Sequence, residues 1–229
     1  MFFSIVIPTL NEVDGILPVL MHLQGLRDQA EIIVVDGGSE DDTVPRASYW
    51  VDKVLISGRG RAVQMNAGAL TATGDVLIFL HADTFLPDDA LSSIRHSITE
   101  EYFWGRFDID LIGDHFMLRI ISFLMNWRSR LSGIATGDQV IFVARESFFQ
   151  VGLFPEIALM EDIALSKALN KIGKPANLAG KVSSSARRWE QFGLLKVILL
   201  MWNLRLRYSF GEDPVVLAEM YRTGRFWKH

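Results

Sequence analysis

The first half of the chain alternates continuous apolar runs with segments that have the period of a helix. Four runs rich in valine and isoleucine predict strands at 2–8, 31–36, 52–57 and 75–83. The spacing of apolar residues after each run predicts helices at about 13–25, 41–48, 61–73 and 87–98. Strands that are apolar on both sides, each followed by a helix, are typical of a mostly parallel, Rossmann-like α/β sheet with helices on both faces.

The pattern becomes less regular after residue 100. Two further strands are predicted at 106–113 and 139–145, and helices at 114–131, 161–172, 192–210 and 213–223. No repeat or linker divides the 229 residues, so we predict a single α/β domain with helices at its C-terminal end.

Composition and charge exclude several classes. The chain has no cysteine, which removes disulfides and thiolate metal sites and is compatible with a reducing compartment. The longest apolar stretch, 192–204, contains Lys196 and is shorter than the roughly 20 residues that span a bilayer. The N-terminus lacks the basic segment of a secretory signal. We therefore expect a cytoplasmic protein, either free or peripheral at the inner face of the membrane.

Charge is unevenly distributed. Residues 181–229 carry nine basic and four acidic side chains, although the whole chain has a net charge of −4. An acidic chain is a poor candidate for nucleic acid, so we predict no nucleic-acid partner. The basic C-terminal part indicates an anionic partner, with phosphate and a lipid surface as the two candidates.

Polar residues follow the ends of the four predicted strands. Glu12 lies after the first, Asp36 ends the second, Arg61 follows the third, and His81 and Asp83 end the fourth. Ligands of open α/β sheets bind beyond the carboxyl ends of the strands. Asp83 is a candidate ligand for Mg²⁺ or Mn²⁺ shared with a phosphate. His81 has three roles open to it: metal ligand, ribose contact or hydrogen bond to a loop.

Two further clusters could carry chemistry. Glu161 and Asp162 begin a predicted helix, where they are either partners of the helix dipole or a general base for an attacking hydroxyl. The cluster of Arg187, Arg188 and Trp189 is either part of a solvated basic loop or a clamp for a departing diphosphate and a stacking surface for a ring. The segment around Arg61 has no Walker lysine and lacks Rossmann glycine spacing, which argues against a P-loop or a dinucleotide site.

Seven motifs together carry a resemblance to a known family. They are IVIPTLNE, VVDGGSEDDT, GRAVQMNAGA, LIFLHADT, GDQVIFVAR, MEDIAL and SARRW. In this order they resemble the family 2 glycosyltransferases of GT-A fold, and more narrowly the transferase-2-like subgroup associated with radical SAM and selenodomain proteins and with arsenosugar biosynthesis. The resemblance implies hexosyl transfer with inversion, from a UDP or GDP sugar to an acceptor hydroxyl, with Mn²⁺ or Mg²⁺.

The resemblance also implies roles for individual residues. It places Pro8, Thr9, Glu12, Asp36, Arg61, His81 and Asp83 at the nucleotide, Asp83 at the metal, Asp162 with Glu161 at the catalytic base, and Arg188 with Trp189 at the diphosphate or acceptor. Two positions depart from the family pattern: His81 stands at the first Asp of the DXD motif, and Ser185 replaces the Gln of QXXRW.

On the same basis, 1–100 is expected to form a nucleotide-binding half, 101–190 an acceptor or catalytic half, and 191–229 a C-terminal helical extension. The apolar segment 192–210 has three candidate partners: its own domain, a second copy of the chain, or a membrane that presents a lipid-linked acceptor. The competing functions are a nucleotide-sugar-binding scaffold and a sugar-nucleotide nucleotidyltransferase; PTLNEVDG lacks the lysine expected of the latter.

Overall fold

The computed structural model describes residues 1–99 and 101–226. Its strands are β1 Phe3–Thr9, β2 Ala30–Asp36, β3 Lys53–Ile56, β4 Val76–Phe79, β5 Thr84–Phe85, β6 Trp104–Ile112, β7 Ile141–Ala144 and β8 Ala176–Ser185. Its α-helices are α1 Ile16–Leu23, α2 Thr43–Ser48, α3 Arg61–Thr71, α4 Ala90–Thr99, α5 Met117–Ser132, α6 Arg145–Gln150, α7 Glu161–Leu169, α8 Arg187–Phe192, α9 Leu194–Ser209 and α10 Pro214–Thr223. Short 3₁₀ turns cover Gln24–Leu26 and Gly137–Gln139.

All eight strands form one sheet in the order β3-β2-β1-β4-β7-β6-β8-β5. The first four are parallel, β7 pairs antiparallel with both β4 and β6, β8 runs parallel to β6, and β5 is antiparallel to β8. The prediction of a single α/β domain with a mostly parallel sheet is confirmed, and one sheet runs through both predicted halves.

Alternating strand residues divide the core into two layers. On β1, Ile5 and Ile7 pack beneath α1, α4 and α5, whereas Val6 packs on the other face against α3. Successive side chains of a strand point to opposite faces, so a strand covered on both sides must be apolar throughout. The continuous apolar runs of β1 and β2 follow from this requirement.

The structure differs from the sequence predictions at several elements. The strand predicted at 75–83 ends at Phe79, so His81 and Asp83 lie in a turn. The helix predicted at 192–210 is observed as α9, which begins at Leu194 because Gly193 before it has a left-handed φ of 83°. Strands β5 and β8 and helices α6 and α8 were not predicted. The serines and glycine of β8 are typical of a loop, and the segment is a strand because it pairs with β6.

The C-terminal helices pack on the domain through a third apolar cluster. Leu200 and Leu204 of α9 and Leu217 of α10 lie against Met160 and Ile163 at the start of α7. The predicted extension 191–229 is therefore helical up to Thr223, and its last three residues lie outside the described part. Among the described residues, no helix combines the length and the apolar character needed to cross a membrane.

We expect Gly74→Ala to destabilise the protein, because its Cβ would lie 2.6 Å from the carbonyl carbon of Phe3 and 2.7 Å from the backbone nitrogen of Ser4. Phe3 and Ser4 belong to the central strand β1, whose backbone cannot move without disturbing the sheet. The expected loss in unfolding free energy is therefore about 2 kcal/mol. Chemical denaturation measures it. Gly25→Ala is the control, since its Cβ would meet no described atom within 4 Å; equal stabilities would contradict the prediction.

Candidate active site

The predicted nucleotide-binding residues begin where β1 and β2 end side by side. Thr9 and Asp36 are paired in register, and the Thr9 hydroxyl donates to Oδ1 of Asp36 at 3.2 Å. Pro8 precedes them in β1. Oδ2 of Asp36 accepts from the backbone nitrogens of Gly38 at 2.9 Å and Ser39 at 2.7 Å, and the Ser39 hydroxyl donates to Oδ1. The buried Asp36 carboxylate thus shapes the loop after β2 with four hydrogen bonds.

A single guanidinium group joins two predicted site residues from distant parts of the chain. Nη2 of Arg187 lies 3.1 Å from Oε2 of Glu12 and 3.2 Å from Oδ2 of Asp83. Glu12 follows β1, Asp83 lies in the turn after β4, and Arg187 begins α8. Strand β8 brings Arg187 to this place, because it ends beside β5. The residue types grouped Arg187 with Arg188 and Trp189 as a candidate diphosphate clamp, whereas the family resemblance implied this role for Arg188 and Trp189 only.

Arg188 lies on the other side of α8 from this ion pair. Its guanidinium stacks 3.5 Å from the ring centroid of Tyr221 and donates to the Tyr221 backbone carbonyl. Burial lowers the pKa of Arg188. Both Arg188 and Trp189 line the main cavity, and Trp189 also packs against the core.

His81 contacts an acid that the sequence analysis did not single out. Nδ1 of His81 is 3.3 Å from Oδ1 of Asp138 in the 3₁₀ turn before β7. A Cβ on Gly137 would lie 2.6 Å from Nε2 of His81, so only glycine lets the ring approach. Burial tends to raise the pKa of Asp138. The hydrogen bond and charge of His81, together with the charges of Arg61 and Arg128, outweigh this effect, so the pKa of Asp138 is lowered.

Glu161 and Asp162 lie together at the start of α7. Met160, just before them, has a left-handed φ of 72°, which turns the chain into the helix with both acids facing inward. Oδ2 of Asp162 accepts from the Gly137 backbone nitrogen at 3.0 Å, and Oδ1 accepts from the Ile163 nitrogen at 2.7 Å. Glu161 is 5% exposed.

Burial changes the ionisation of this pair. It raises the pKa of Glu161 to about 7, and the charge of Asp162 adds to the rise. Burial also raises the pKa of Asp162, although the two backbone hydrogen bonds oppose it. Two neighbouring carboxyl groups in a poorly solvated place share their titration, so one proton is retained near neutral pH.

A cavity of about 1200 Å³ connects these groups. Its polar lining includes Arg61, His81, Asp138, Glu161, Asp162 and Arg188, and most of the remaining wall is apolar and comes from α5 and α9. Burial lowers the pKa of Arg61, but the acidic groups around it, Tyr221, Glu161 and Asp138 foremost, raise it more, so Arg61 stays charged. The arrangement brings carboxyl groups, cations and an apolar chamber together beyond the carboxyl end of β4.

The described residues include no group of three His, Asp or Glu side chains placed to hold a metal. A hard cation still fits at Asp83. Mg²⁺ binds through one or two carboxylates and completes its shell with water and substrate phosphate, and the Asp83 side chain is 29% exposed. The guanidinium of Arg187 already lies between the carboxylates of Glu12 and Asp83, so positive charge is favourable at this position.

The comparisons establish the family. The family model for glycosyl transferase family 2 matches residues 4–153, and the chain belongs to that family. A PGL/p-HBAD biosynthesis glycosyltransferase of Mycobacterium bovis is 31% identical over 171 residues, which is 68% of this chain and 61% of the relative. An uncharacterized glycosyltransferase of Mycobacterium tuberculosis is 35% identical over 106 residues, or 42% of this chain and 39% of the relative. The chain thus matches well under two thirds of the length of these relatives.

Solved structures confirm the GT-A fold. S. aureus TarS in complex with UDP-GlcNAc matches with a TM-score of 0.64 and 19% identity, covering 81% of this chain and 58% of TarS. The mannosyltransferase PcManGT of Pyrobaculum calidifontis, in complex with GDP-Man and Mn²⁺, matches with a TM-score of 0.63 and 19% identity, covering 89% and 60%. At this level of identity the likeness shows the fold of the chain.

The raised pKa of Glu161 predicts how stability depends on pH. An ordinary glutamate ionises near 4.5 in the unfolded chain, whereas folded Glu161 keeps its proton to about 7. The contribution of Glu161 to the free energy of unfolding therefore falls as pH rises from 4.5 to 7. Glu161→Gln should remove this fall and be about 3 kcal/mol more stable than wild type at pH 8, with little difference at pH 4.

Denaturant titrations at the two pH values measure this effect. Glu156→Gln is the matched control, because Glu156 is exposed. If Glu161→Gln and Glu156→Gln change stability alike at pH 8, the carboxyl group of Glu161 is not destabilised by burial.

Proposed function

We propose that the protein transfers a sugar from a nucleoside-diphosphate sugar of UDP or GDP type to an acceptor hydroxyl, with inversion and with the help of Mn²⁺ or Mg²⁺. The observation that carries the proposal is the pair Glu161 and Asp162, held inside the cavity of a family 2 chain within reach of cations. A scaffold that binds the donor without chemistry would not need two carboxyl groups buried at an energetic cost.

The cavity supports an assignment of the catalytic base. Asp162 accepts the acceptor's hydroxyl proton, and the acceptor oxygen forms a bond to the anomeric carbon. The bond from that carbon to the phosphate oxygen breaks, and its electron pair leaves with the diphosphate. Attack from the face opposite the leaving group inverts the anomeric centre. The backbone N–H groups of Gly137 and Ile163 hold the Asp162 carboxylate in place for this role.

Glu161 is the second member of the pair. Burial and the charge of Asp162 raise the pKa of Glu161, whereas burial and the charge of Asp138 raise the pKa of Asp162. Glu161 is therefore proposed as the protonated neighbour of the base Asp162, facing the same cavity.

The donor side is proposed at the carboxyl ends of β1 and β2. Pro8, Thr9 and Asp36 would border the base and ribose, with His81 nearby. A divalent cation at Asp83 would neutralise charge on the leaving diphosphate. Arg187 is placed to move from Glu12 and Asp83 onto a phosphate, and Arg61 and Arg188 line the cavity that holds Asp162. The halves 1–100 and 101–190 keep their proposed roles in donor and acceptor binding, and the cytoplasm remains the proposed compartment.

Structural neighbours support both the donor and the metal. Their complexes contain UDP-GlcNAc in TarS, GDP-Man with Mn²⁺ in PcManGT, and Mg²⁺ with UDP in glucosyl-3-phosphoglycerate synthase of Mycobacterium tuberculosis. Both nucleotides occur, so UDP and GDP are both candidates here.

Titration calorimetry of UDP and GDP with and without Mn²⁺ tests the donor site. We expect one nucleotide to bind in a metal-dependent way, and Asp83→Ala to weaken that binding at least tenfold because the cation loses its carboxylate. Asp28→Ala, on the exposed turn before β2, is the control. If neither nucleotide binds wild type in either condition, the proposed function is wrong.

We expect Asp162→Asn to lower the rate of sugar transfer by about a hundredfold to ten-thousandfold, since a general base contributes on that order. The affinity for the nucleotide should change little, because Asp162 acts on the acceptor. Turnover assays and calorimetry on the same preparation separate the two effects, with Asp28→Asn as control. A variant that keeps most of its turnover would remove Asp162 from the role of base.

A further inference from the structure

Helices α5 and α9 border the mouth of the cavity and expose large apolar side chains there. Phe123, Leu124 and Trp127 of α5 are 66%, 52% and 56% exposed, and Leu199, Trp202 and Leu206 of α9 are 59%, 72% and 58% exposed. Leu124, Trp127, Trp202 and Leu206 also line the cavity. The apolar surface therefore continues from the outside of the protein into the chamber that holds Asp162.

Packing on the domain uses a different face of α9. Val197, Leu200 and Leu204 are buried. The exposed residues lie on the remaining surface of the helix, and a contiguous apolar patch of this kind usually marks a protein or membrane contact.

Charge identifies the kind of contact. Helix α5 contains three arginines and α9 contains one lysine and two arginines, and neither helix contains Asp or Glu. Two of these six groups, Arg130 and Arg207, are paired with acids of other segments, and Arg128 and Arg205 line the cavity, so Arg119 and Lys196 carry the charge on the exposed surface. Helices that combine exposed tryptophan and leucine with basic residues are typical of segments that lie in the headgroup region of an anionic membrane.

Three arginines that line the cavity have donors that no described residue accepts. Nε and Nη2 of Arg128 are buried without a hydrogen-bond partner among the described residues, as are Nε of Arg188 and Nε of Arg205. A buried guanidinium donor that makes no hydrogen bond costs free energy. Arg128 also lies in the electrostatic field of Asp162 and Asp138, beside the proposed base. An anionic group in the cavity would satisfy these donors.

We infer that the acceptor is an anionic lipid, which the protein takes from a membrane surface on which α5 and α9 rest. Its apolar chain would lie between the two helices, and its anionic group would bind Arg128 with Arg188 nearby. This placement would bring a hydroxyl of the headgroup to Asp162. The inference rests on the proposed function, since it names the substrate class of the same site.

Two measurements on the full chain test it. In the first, the protein is sedimented with vesicles of phosphatidylglycerol and phosphatidylcholine, and with vesicles of phosphatidylcholine alone. We expect binding to the anionic vesicles, weakened at least fivefold by Leu199→Glu and by high salt. Leu70→Glu is the control, because Leu70 is 62% exposed on α3. It should bind as wild type does.

In the second, dodecyl phosphate is titrated below its micelle concentration. We expect saturable binding that Arg128→Gln weakens at least tenfold. Butyl phosphate, which has the headgroup without the chain, and dodecyltrimethylammonium, which has the chain with the opposite charge, should bind at least tenfold more weakly than dodecyl phosphate. Circular dichroism of each variant confirms that it is folded.

Several outcomes would overturn the inference. They are the absence of vesicle binding, equal binding of Leu199→Glu and wild type, and a loss of nucleotide affinity instead of dodecyl phosphate affinity in Arg128→Gln. A dimer that Leu199→Glu dissociates, without vesicle binding by wild type, would assign the α9 surface to a second copy of the chain. UDP and GDP titrations on the same preparations separate failure of this inference from failure of the proposed function. Nucleotide binding without amphiphile binding overturns this inference alone, whereas loss of both overturns the proposed function.

Discussion

Two adjacent carboxyl groups begin α7, the buried Glu161 and the partly buried Asp162, and the surrounding structure is organised around the cost of desolvating them. Water is largely excluded from Glu161, so its charge must be balanced by the protein or removed by protonation. The structure uses both means. Arg61 and Arg128 place positive charge in the same cavity, and burial raises the pKa of Glu161 enough to retain a proton near neutrality.

The same constraint explains the turn before β7. Gly137 donates its backbone N–H to Asp162 and, having no Cβ, leaves room for the ring of His81. His81 in turn contacts Asp138. A single turn therefore connects the acid pair to the residue that replaces an aspartate in the DXD motif. His81 belongs to this network of buried polar groups, and the structure gives it a partner other than Asp83.

Much of the fold could be predicted from the sequence, because it depends on local pattern. The runs of β1 and β2 are apolar since both sheet faces are covered, and the helical periods of α3 and α7 are regular. Strand β8 could not be recognised, because its serines and glycine acquire strand geometry by pairing with β6. The site divides in the same way. Strand-end acids such as Asp36 are visible in sequence, whereas the contact of Arg187 with Glu12 joins residues 175 positions apart.

The contact of Arg187 with Glu12 and Asp83 suggests how the proposed donor site could exchange a guanidinium group for a divalent cation. Glu12 and Asp83 would repel each other if left alone, and Arg187 relieves the repulsion with a side chain that is 56% exposed and only partly desolvated. An ion pair so close to solvent is weak, so it can be broken at little cost. A divalent cation arriving with a diphosphate would supply more positive charge to Asp83 than one guanidinium does, and it would release Arg187 toward the phosphates. The side chain that stabilises the acids before the donor binds is thus free to stabilise the leaving group afterwards.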